Sequence, residues 1–534
     1  MRLPVGLFML VAATIVVAWW RLGAPIPMPP SPLGEGEKLH CVSYAPFRGQ
    51  QSPLDPATQI DPRQIDDDLA RLRRLTGCVR TYSTRNGLDH VAEIAARHGV
   101  KVIQGIWLGG DRMAAERDLA TAVGLAQRYP GTIQSMVVGN EVLLRGEMSA
   151  AELAATIRRV KADVPVPVTY ADVWEFWLRY RELHDAVDFV TIHILPYWED
   201  DPIAARHAAA HVEAIRRRVA ASLPGKDIFI GETGWPSAGR MRAGALPSPA
   251  NQAQIIHEVL SVAKRENYQV NVIEAFDQPW KRQLEGTVGG HWGLLDASAR
   301  QPKFAWGRPV SNHPHWRLQA VGGVALTALV FGAALGARRE RTRVKPAPWL
   351  GVATIALAAG ILVGWTVENV PLESLGAGDW IRSCAMAVLA IAVPPLAAAA
   401  LLRGTGAPDF AHVLARRAEG KDALAFPLGS ALIVLSVVAV QVALGLVFDP
   451  RYKDFPFAPL TAATVPFLVL SLAAPRGRGV RGVAATAFAA VLAACTVYLV
   501  LNEGLANWQA LWLGAVFLGL AFTLFRVRAA PSSA

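Results

Sequence analysis

Two glutamates stand where buried strands are predicted to end, and paired carboxylates can carry out acid/base chemistry. Glu141 ends the apolar run "SMVVGNE", and Glu232 ends the run "DIFIGE" just before the turn "TGWPS". A protonated carboxyl group can donate a proton to a leaving group, while an ionised carboxylate attacks an electrophilic carbon. The two glutamates are far apart in the chain, so this prediction requires a fold that ends both strands at one face.

Short apolar runs alternate with amphipathic, charged segments between residues 39 and 304, which indicates a parallel sheet covered by helices. Eight such units in this length favour a closed (β/α)8 barrel. An open doubly wound sheet is the alternative, but we find no glycine-rich phosphate loop after the first run. In a barrel, catalytic groups lie at the carboxyl ends of the strands, and strands four and seven face each other across the mouth. The runs are "LHCVSY", "CVRTYS", "KVIQGIW", "SMVVGNE", "VPVTYAD", "FVTIHIL", "DIFIGE" and "VNVIEAFD".

Aromatic residues follow the predicted strands and favour a sugar ligand. Two carboxyl groups on either side of one bond are what glycoside hydrolysis requires, and aromatic faces pack against the apolar faces of sugar rings. Core packing explains any single one of these residues more simply, but their number at one end of the barrel favours a binding groove. They are Tyr44, Tyr82, Trp107, Tyr170, Trp174, Tyr197, Trp198, Trp235, Trp280 and Trp292.

Charge and composition limit the partners of the chain. The net charge is +10, but residues 22–316 contain 33 basic and 33 acidic side chains, so the predicted barrel gives no electrostatic indication of a nucleic-acid partner. No Cys/His spacing resembles a metal site, and we expect no cofactor.

Cys41 and Cys78 could pair in an oxidising compartment, although two free buried thiols are the interpretation that the sequence favours. The acidic run at residues 66–68 is interpreted as a solvated helix face.

The rest of the chain is typical of a membrane protein. Residues 1–22 are interpreted as a retained signal-anchor span, with a cleaved signal peptide as the alternative, and residues 23–38 as a proline-rich linker to a barrel domain at 39–310. Seven apolar stretches follow within 318–525, and 526–534 form a short tail. The connectors alternate between basic and acidic or neutral, so the positive-inside rule predicts a lipid-embedded chain with the barrel outside and the C-terminus in the cytoplasm.

Several motifs resemble glycoside hydrolase family 17, the β-1,3-glucanase group. They are "CVSYAPFRG", "VRTYS", "VVGNEVL", "IGETGWPS", "AFDQPWK" and "HWGLL", and they cover about residues 39–305. The resemblance implies a (β/α)8 fold and a retaining mechanism with Glu141 as acid/base and Glu232 as nucleophile. It implies that Asn140 hydrogen-bonds the sugar 2-hydroxyl, that Arg80 and Tyr82 belong to the site, and that Tyr197 and Lys281 line it. We add three aromatic residues as substrate-binding candidates: Tyr44, Trp235 and Trp292.

The resemblance is to the bacterial branch of the family, which is linked to periplasmic β-1,3/β-1,6-glucan metabolism. It therefore implies a β-glucan substrate and an inner-membrane location. The plant enzymes have a further glutamate where this chain has Asp277-Gln278, and Glu285 is a candidate substitute. His193 is as well explained by a buried, satisfied histidine as by a substrate contact.

Three functions stay open at this point. The first is a retaining glucanase, and the second is a transglycosylase on the same barrel that makes β-1,6 linkages or branches. The third is a catalytically silent sugar-binding sensor, which the intact motifs disfavour. Because the seven C-terminal stretches have no mid-span carboxylate, active transport is disfavoured, and we expect assembly with a glucan synthase or export partner.

Overall fold

The computed structural model describes residues 2–338, 346–405, 410, 413, 423–473 and 482–526. The chain folds into two compact units. One unit is Ile26–Val310. The other combines Met1–Pro25 with Ser311–Ala534. The residues of the predicted linker from Ile26 onward are part of the first unit, where Ile26 pairs with Val310 in a short antiparallel bridge.

The first unit is a closed barrel of eight parallel strands in sequential order. Each of the eight predicted runs overlaps one strand, so the predicted fold class is confirmed. The last strand pairs with the first, which closes the sheet and leaves no free edge. The strands are β1 (Cys41–Ser43), β2 (Cys78–Arg80), β3 (Lys101–Ile106), β4 (Ile133–Asn140), β5 (Val168–Val173), β6 (Val190–His193), β7 (Ile228–Thr233) and β8 (Val270–Val272).

Helices cover the barrel, and polar residues begin several of them. Asp61 accepts a hydrogen bond from the backbone at the start of the first barrel helix, and Ser149 with Glu152 forms a capping box at another. Their apolar faces pack against the strands in one continuous core. The α-helices are Pro62–Leu72, Val91–His98, Arg112–Arg128, Ala150–Asp163, Trp174–Arg179, Ala205–Ser222, Pro249–Arg265 and Arg282–Gly289, and short 3-10 turns span Leu88–His90, Arg181–Ala186 and Pro279–Lys281.

Strand register brings polar side chains together at one end of the barrel. Ser43 of β1 is paired with Arg80 of β2, and His193 of β6 is paired with Glu232 of β7. A register shift between Ile192 and His193 produces the second pairing. These residues all end their strands or lie next to the ends, so this rim is where chemistry can be assembled.

A disulfide joins the first residues of β1 and β2. Cys41 and Cys78 are bonded, with their Cα atoms 4.3 Å apart. The sequence interpretation that favoured two free thiols is therefore wrong. Parallel pairing of adjacent strands places the two cysteines side by side, which their separation of 37 residues does not reveal.

The second unit is built from long apolar helices. By length and composition, seven helices of the described chain could cross a membrane, and six of them follow the barrel. These are Arg2–Leu22, Trp316–Ala337, Pro346–Glu373, Ala377–Arg403, Ala425–Phe448, Val483–Glu503 and Trp508–Arg526. The apolar helix Phe457–Ala473 has 17 residues, at the short limit of about 17–25 for a span, so a seven-span domain stays a prediction. Most of the basic connectors and of the tail at 526–534 lie outside the described residues.

Candidate active site

The two predicted glutamates meet at the carboxyl end of the barrel. One carboxylate oxygen of Glu141 and one of Glu232 lie within 4.8 Å of each other. Glu232 is 5% exposed, whereas 23% of the side chain of Glu141 is exposed. Carboxyl groups about 5–5.5 Å apart are typical of retaining glycosidases, and inverting enzymes need about 6.5–9.5 Å to admit a water molecule. This separation therefore fits a double displacement.

A tight turn at the end of β4 directs Glu141 into the site. Gly139 has a φ of 88°, and a Cβ atom there would lie 2.7 Å from a methyl carbon of Val142. Glu141 itself has a φ of 53°, which is uncommon for a residue with a side chain. Its backbone N–H donates to the carbonyl oxygen of Ala171 on β5 at 2.8 Å. The Gly-Asn-Glu order thus turns the chain out of the sheet while the neighbouring strand holds the glutamate backbone.

Arg80 and Tyr82 hold the carboxylate of Glu232, and Ser43 and Asn271 extend this hydrogen-bond network. Nη1 of Arg80 donates to Oε1 at 3.1 Å, and the hydroxyl of Tyr82 donates to the same oxygen at 2.8 Å. The Tyr82 oxygen also lies 2.8 Å from the hydroxyl oxygen of Ser43, which in turn accepts from Nδ2 of Asn271 at 2.8 Å. An ionised carboxylate is favoured by such charge-assisted donors. The surroundings of Glu232 therefore suit a group that acts as an anion.

Arg80 is the shared partner of both strand ends. Its side chain is 1% exposed. Besides Glu232, it donates to the carbonyl oxygen of Gly231 at 2.6 Å and to Oδ1 of Asn140 at 2.6 Å. A Cβ atom on Gly231 would lie 2.4 Å from a methyl of Thr191 and 3.4 Å from Nη1 of Arg80. A side chain at the glycine of "IGET" would therefore clash with Thr191 on the neighbouring strand and would contact the guanidinium group of Arg80.

Asn140 is oriented by the same arginine. Because Arg80 can only donate, the Asn140 oxygen must face it, and the NH2 group of Asn140 takes the other direction. That NH2 group has no hydrogen-bond partner among the described residues. It is available to donate to a ligand hydroxyl, as the family resemblance implies.

Two residues that the sequence did not assign to the site are part of it. His193, 1% exposed, has Nδ1 at 2.7 Å from Oε1 of Glu141 and Nε2 at 3.6 Å from Oε1 of Glu232. Asp172 of β5 is fully buried and accepts from the backbone N–H of Val173 at 2.8 Å. Both are polar residues at the carboxyl ends of apolar strands, the same signal that singled out the glutamates.

Burial and nearby charges shift the pKa values of these acids. Burial raises the pKa of Glu141, but the hydrogen bond from His193 and the guanidinium groups of Arg145 and Arg80 lower it more, so the pKa lies below its ordinary value. Burial raises the pKa of Asp172 to about 6, and the nearby charge of Glu141 acts in the same direction. The surroundings therefore favour the anion of Glu141, whereas Asp172 keeps its proton to a higher pH than an ordinary aspartic acid.

Lys281 lies in a second acidic group beside the pair. Its ammonium nitrogen is 3.0 Å from both carboxylate oxygens of Glu274, which is 1% exposed. Burial raises the pKa of Glu274 to about 7, although Lys281 opposes this shift. Burial also raises the pKa of half-buried Glu285, with Lys281 opposing and the charges of Glu141 and Glu232 adding to the rise. Glu285 therefore shares the electrostatic field of the two catalytic candidates.

Three of the predicted aromatic residues form one buried cluster. The ring centroid of Tyr197 is 6.0 Å from that of Trp235 and 6.2 Å from that of Trp292. The hydroxyl of Tyr197 donates to the carbonyl oxygen of Arg240 at 2.9 Å, and the indole N–H of Trp235 donates to the carbonyl oxygen of Leu246 at 3.0 Å. These polar atoms of Tyr197 and Trp235 thus bind backbone, and the cluster supports the loops that follow β6 to β8.

Tyr44 is placed differently from the other candidates. It is fully buried, and its hydroxyl donates to Asp68 at 3.1 Å rather than to either glutamate. Asp68 is also fully buried and forms ion pairs with Arg48 and Arg300. The interpretation of residues 66–68 as a solvated face is therefore wrong for Asp68, because the chain beyond β8 brings Arg300 onto it.

Glu141, His193 and Glu232 also have donor atoms of the types that bind metal ions. Each ring nitrogen of His193, however, faces a different carboxylate, and the contact with Glu141 is a hydrogen bond at 2.7 Å. We therefore interpret His193 as a hydrogen-bond partner of Glu141 that lies beside Glu232.

Residues 41–293 match the BtgE/BtgC glycoside hydrolase domain. The matched segment contains all eight strands and both glutamates. Domains of this type are related to the family 17 glucan 1,3-beta-glucosidases and beta-1,3-glucanosyltransferases, so the resemblance stated from the motifs is confirmed at this level. The barrel is a glycosidase-like domain.

Relatives of the glycosidase barrel include fungal enzymes. A glucan 1,3-beta-glucosidase of Candida albicans is 27% identical over 262 residues, which are 45% of this chain and 85% of the relative. A glucan 1,3-beta-glucosidase of Saccharomyces cerevisiae is 28% identical over 255 residues, 44% of this chain and 82% of the relative. Among solved structures, an active-site mutant of Rhizomucor miehei beta-1,3-glucanosyltransferase in complex with laminaritriose is 24% identical, with a TM-score of 0.45, and covers 50% of this chain and 97% of its own.

Proposed function

We propose that this protein is a membrane-anchored retaining glycoside hydrolase that acts on β-1,3-glucan outside the cytoplasmic membrane. The observation that carries the proposal is the separation of the two carboxylates, within 4.8 Å, at the rim of a glycosidase-like barrel. The names of the relatives supply the linkage, since both are glucan 1,3-beta-glucosidases.

The mechanism assigns one step to each carboxylate. In the first step Glu232 attacks the anomeric carbon as the glycosidic bond breaks, and Glu141 donates its proton to the leaving oxygen. In the second step Glu141 removes a proton from the incoming hydroxyl, whose oxygen displaces Glu232 from the same carbon. Arg80 and Tyr82 hold the carboxylate of Glu232 by hydrogen bonds before attack, and the amide of Asn140 donates to a sugar hydroxyl beside it.

The covalent intermediate admits two acceptors. Water gives hydrolysis, whereas a sugar hydroxyl gives a glucanosyltransferase that lengthens chains or makes β-1,6 linkages or branches. Wild-type protein incubated with β-1,3-linked glucose oligomers separates the two activities. Both activities release a shortened fragment in the first step. Shortened products alone indicate hydrolysis, whereas lengthened or branched products beside them indicate transfer.

The location is proposed from two features. The charge pattern of the connectors supports a position of the barrel on the outer side of a bacterial inner membrane. The disulfide between Cys41 and Cys78 supports this side, because such bonds persist in oxidising compartments. Together with the apolar helices, this arrangement suits a partner that makes or exports glucan at the membrane.

Azide rescue of two variants tests the assigned roles. The substrate is a β-1,3-linked glucose oligomer with a dinitrophenyl leaving group at its anomeric carbon. With it, Glu232→Ala is expected to lose roughly 10³-fold or more in kcat. Added azide should then give an α-glycosyl azide, because azide occupies the vacated nucleophile position. Glu141→Ala is the matched variant. It should still form the covalent intermediate with this activated leaving group, and azide should then give the β-glycosyl azide. Full activity of Glu232→Ala, or identical azide anomers from both variants, would contradict the assignment.

A further inference from the structure

A single imidazole lies between the two carboxylates. His193 ends β6, and its side chain is fully buried. Nδ1 is 2.7 Å from Oε1 of Glu141, while Nε2 is 3.3 Å from Nη1 of Arg80 and 3.6 Å from Oε1 of Glu232. No other described side chain contacts both glutamates. The family motifs that we identified in the sequence do not include this histidine.

The carboxylate of Glu141 determines which ring nitrogen carries the proton. An ionised carboxylate accepts hydrogen bonds and has no donor. Nδ1 of His193, at 2.7 Å from Oε1 of Glu141, therefore carries the ring proton and donates it, while Nε2 faces the guanidinium group of Arg80. The second oxygen of Glu141, Oε2, has no partner among the described residues and stays free for proton transfer.

We propose that His193 is a positioning residue that holds Oε1 of Glu141 through its Nδ1–H group and so makes Oε2 the oxygen that exchanges the proton with the sugar. This inference rests on the proposed function for the identity of the reaction. In the first step the proton leaves Oε2 for the leaving oxygen, and in the second Oε2 takes a proton from water or a sugar hydroxyl. The Nδ1–H bond is unbroken in both steps.

Positioning is needed here because the carboxylate is carried by a turn. Glu141 lies two residues after Gly139, and both residues have positive φ angles. The side chain of Glu141 is partly exposed. Its neighbours on other elements provide charge and not a fixed direction: Arg80 of β2, Arg145 after β4, Asp172 of β5, Glu232 of β7 and Glu285 of the helix after β8. The hydrogen bond from His193 is the contact that fixes one oxygen.

Two substitutions at His193 separate a hydrogen-bond role from simple packing. The amide nitrogen of asparagine can occupy the place of Nδ1 and donate, whereas phenylalanine keeps the ring volume without any donor. His193→Phe is expected to lose tenfold or more in kcat with little change in KM. His193→Asn is expected to stay within about threefold of wild type, since one retained donor suffices.

The pH dependence of kcat/KM distinguishes a positioning role from a purely structural one, because loss of packing alone would not shift it. The first step needs protonated Glu141, so kcat/KM falls as the pH rises through the pKa of this group. His193 lowers that pKa. In His193→Phe the alkaline limb should therefore move to higher pH by at least half a unit, and in His193→Asn it should not move.

His257→Phe is the control. His257 is also fully buried, but its ring nitrogens form hydrogen bonds with the backbone of Ala253 and Gly307. Its replacement should therefore lower Tm without shifting the alkaline limb of the kcat/KM profile.

The proposal is overturned if folded His193→Phe keeps the wild-type turnover and pH profile, or if the Phe and Asn variants behave alike. If wild-type protein cleaves or transfers no β-glucan, the proposed function fails, and the positioning role is then tested by structure determination of His193→Phe. Displacement of the Glu141 carboxylate in that structure supports the role, and an unchanged carboxylate refutes it.

Discussion

At the residue scale, the surroundings of the two glutamates differ in a way that matches two roles. Glu232 is nearly enclosed and receives donors from Arg80 and Tyr82. Glu141 is more exposed and is held through one oxygen by His193. A nucleophile must stay ionised, whereas an acid/base group must reach the leaving group and exchange protons with it. The difference in exposure and in hydrogen-bond donors therefore agrees with the two roles that the motifs imply.

The hydroxyl of Tyr82 provides a direct test of the nucleophile's surroundings. Tyr82→Phe removes the 2.8 Å hydrogen bond to Glu232 and leaves the ring in place. A hydrogen bond to a charged group contributes about 1.5–3 kcal/mol, so kcat/KM is expected to fall roughly 10- to 100-fold. Tyr129→Phe, at the end of the helix Arg112–Arg128, is the control and should keep full activity. Equal activity of the two variants would show that the Tyr82 hydroxyl does not contribute.

At the element scale, the end of β4 delivers the acid/base candidate. Gly139 and Glu141 both have positive φ angles, so the strand leaves the sheet within three residues. Arg145 then returns to the turn and donates to the carbonyl oxygen of Asn140, and also to that of Leu108 at 2.9 Å. A strained turn at a functional position persists because its neighbours hold it. Here the neighbours are the strand β5 and this arginine.

Substitution of Gly139 should disturb both folding and activity. In Gly139→Ala the new methyl group meets Val142 at 2.7 Å, and the left-handed backbone adds about 1–2 kcal/mol of strain. We expect a lower Tm and a lower kcat, because the turn carries Glu141. Gly124→Ala is the control, since nothing lies within 4 Å of its Cβ position in a helix. That variant should be as stable as wild type or more so, and a neutral Gly139→Ala would contradict the role of the turn.

At the scale of the whole molecule, a glycosidase-like barrel and a set of apolar helices are two compact units of one chain. The barrel has its own core and its own disulfide, and the helical unit has a separate core. The proposed function assigns the chemistry to the barrel and membrane anchoring to the apolar helices. The proposal therefore depends on which side of the membrane the barrel lies.

Two measurements test that compartment, one on spheroplasts and one on the denatured protein. Protease added to spheroplasts should digest the barrel if it lies outside. Alkylation of denatured, unreduced protein should label Cys384 and Cys495, and reduction should add Cys41 and Cys78. A protected barrel, or four reactive thiols before reduction, would place the barrel in the cytoplasm.

The sequence by itself determined the strands, the barrel and the two glutamates, because these follow from local patterns. Alternation of apolar runs with amphipathic helices is a property of neighbouring residues, and the strand ends then determine where Glu141 and Glu232 lie. Tertiary structure alone decided the disulfide of Cys41 and Cys78, the burial of Asp68 against Arg300, and the place of His193 between two carboxylates. Each of these depends on register and packing between segments distant in the chain, which no local pattern encodes.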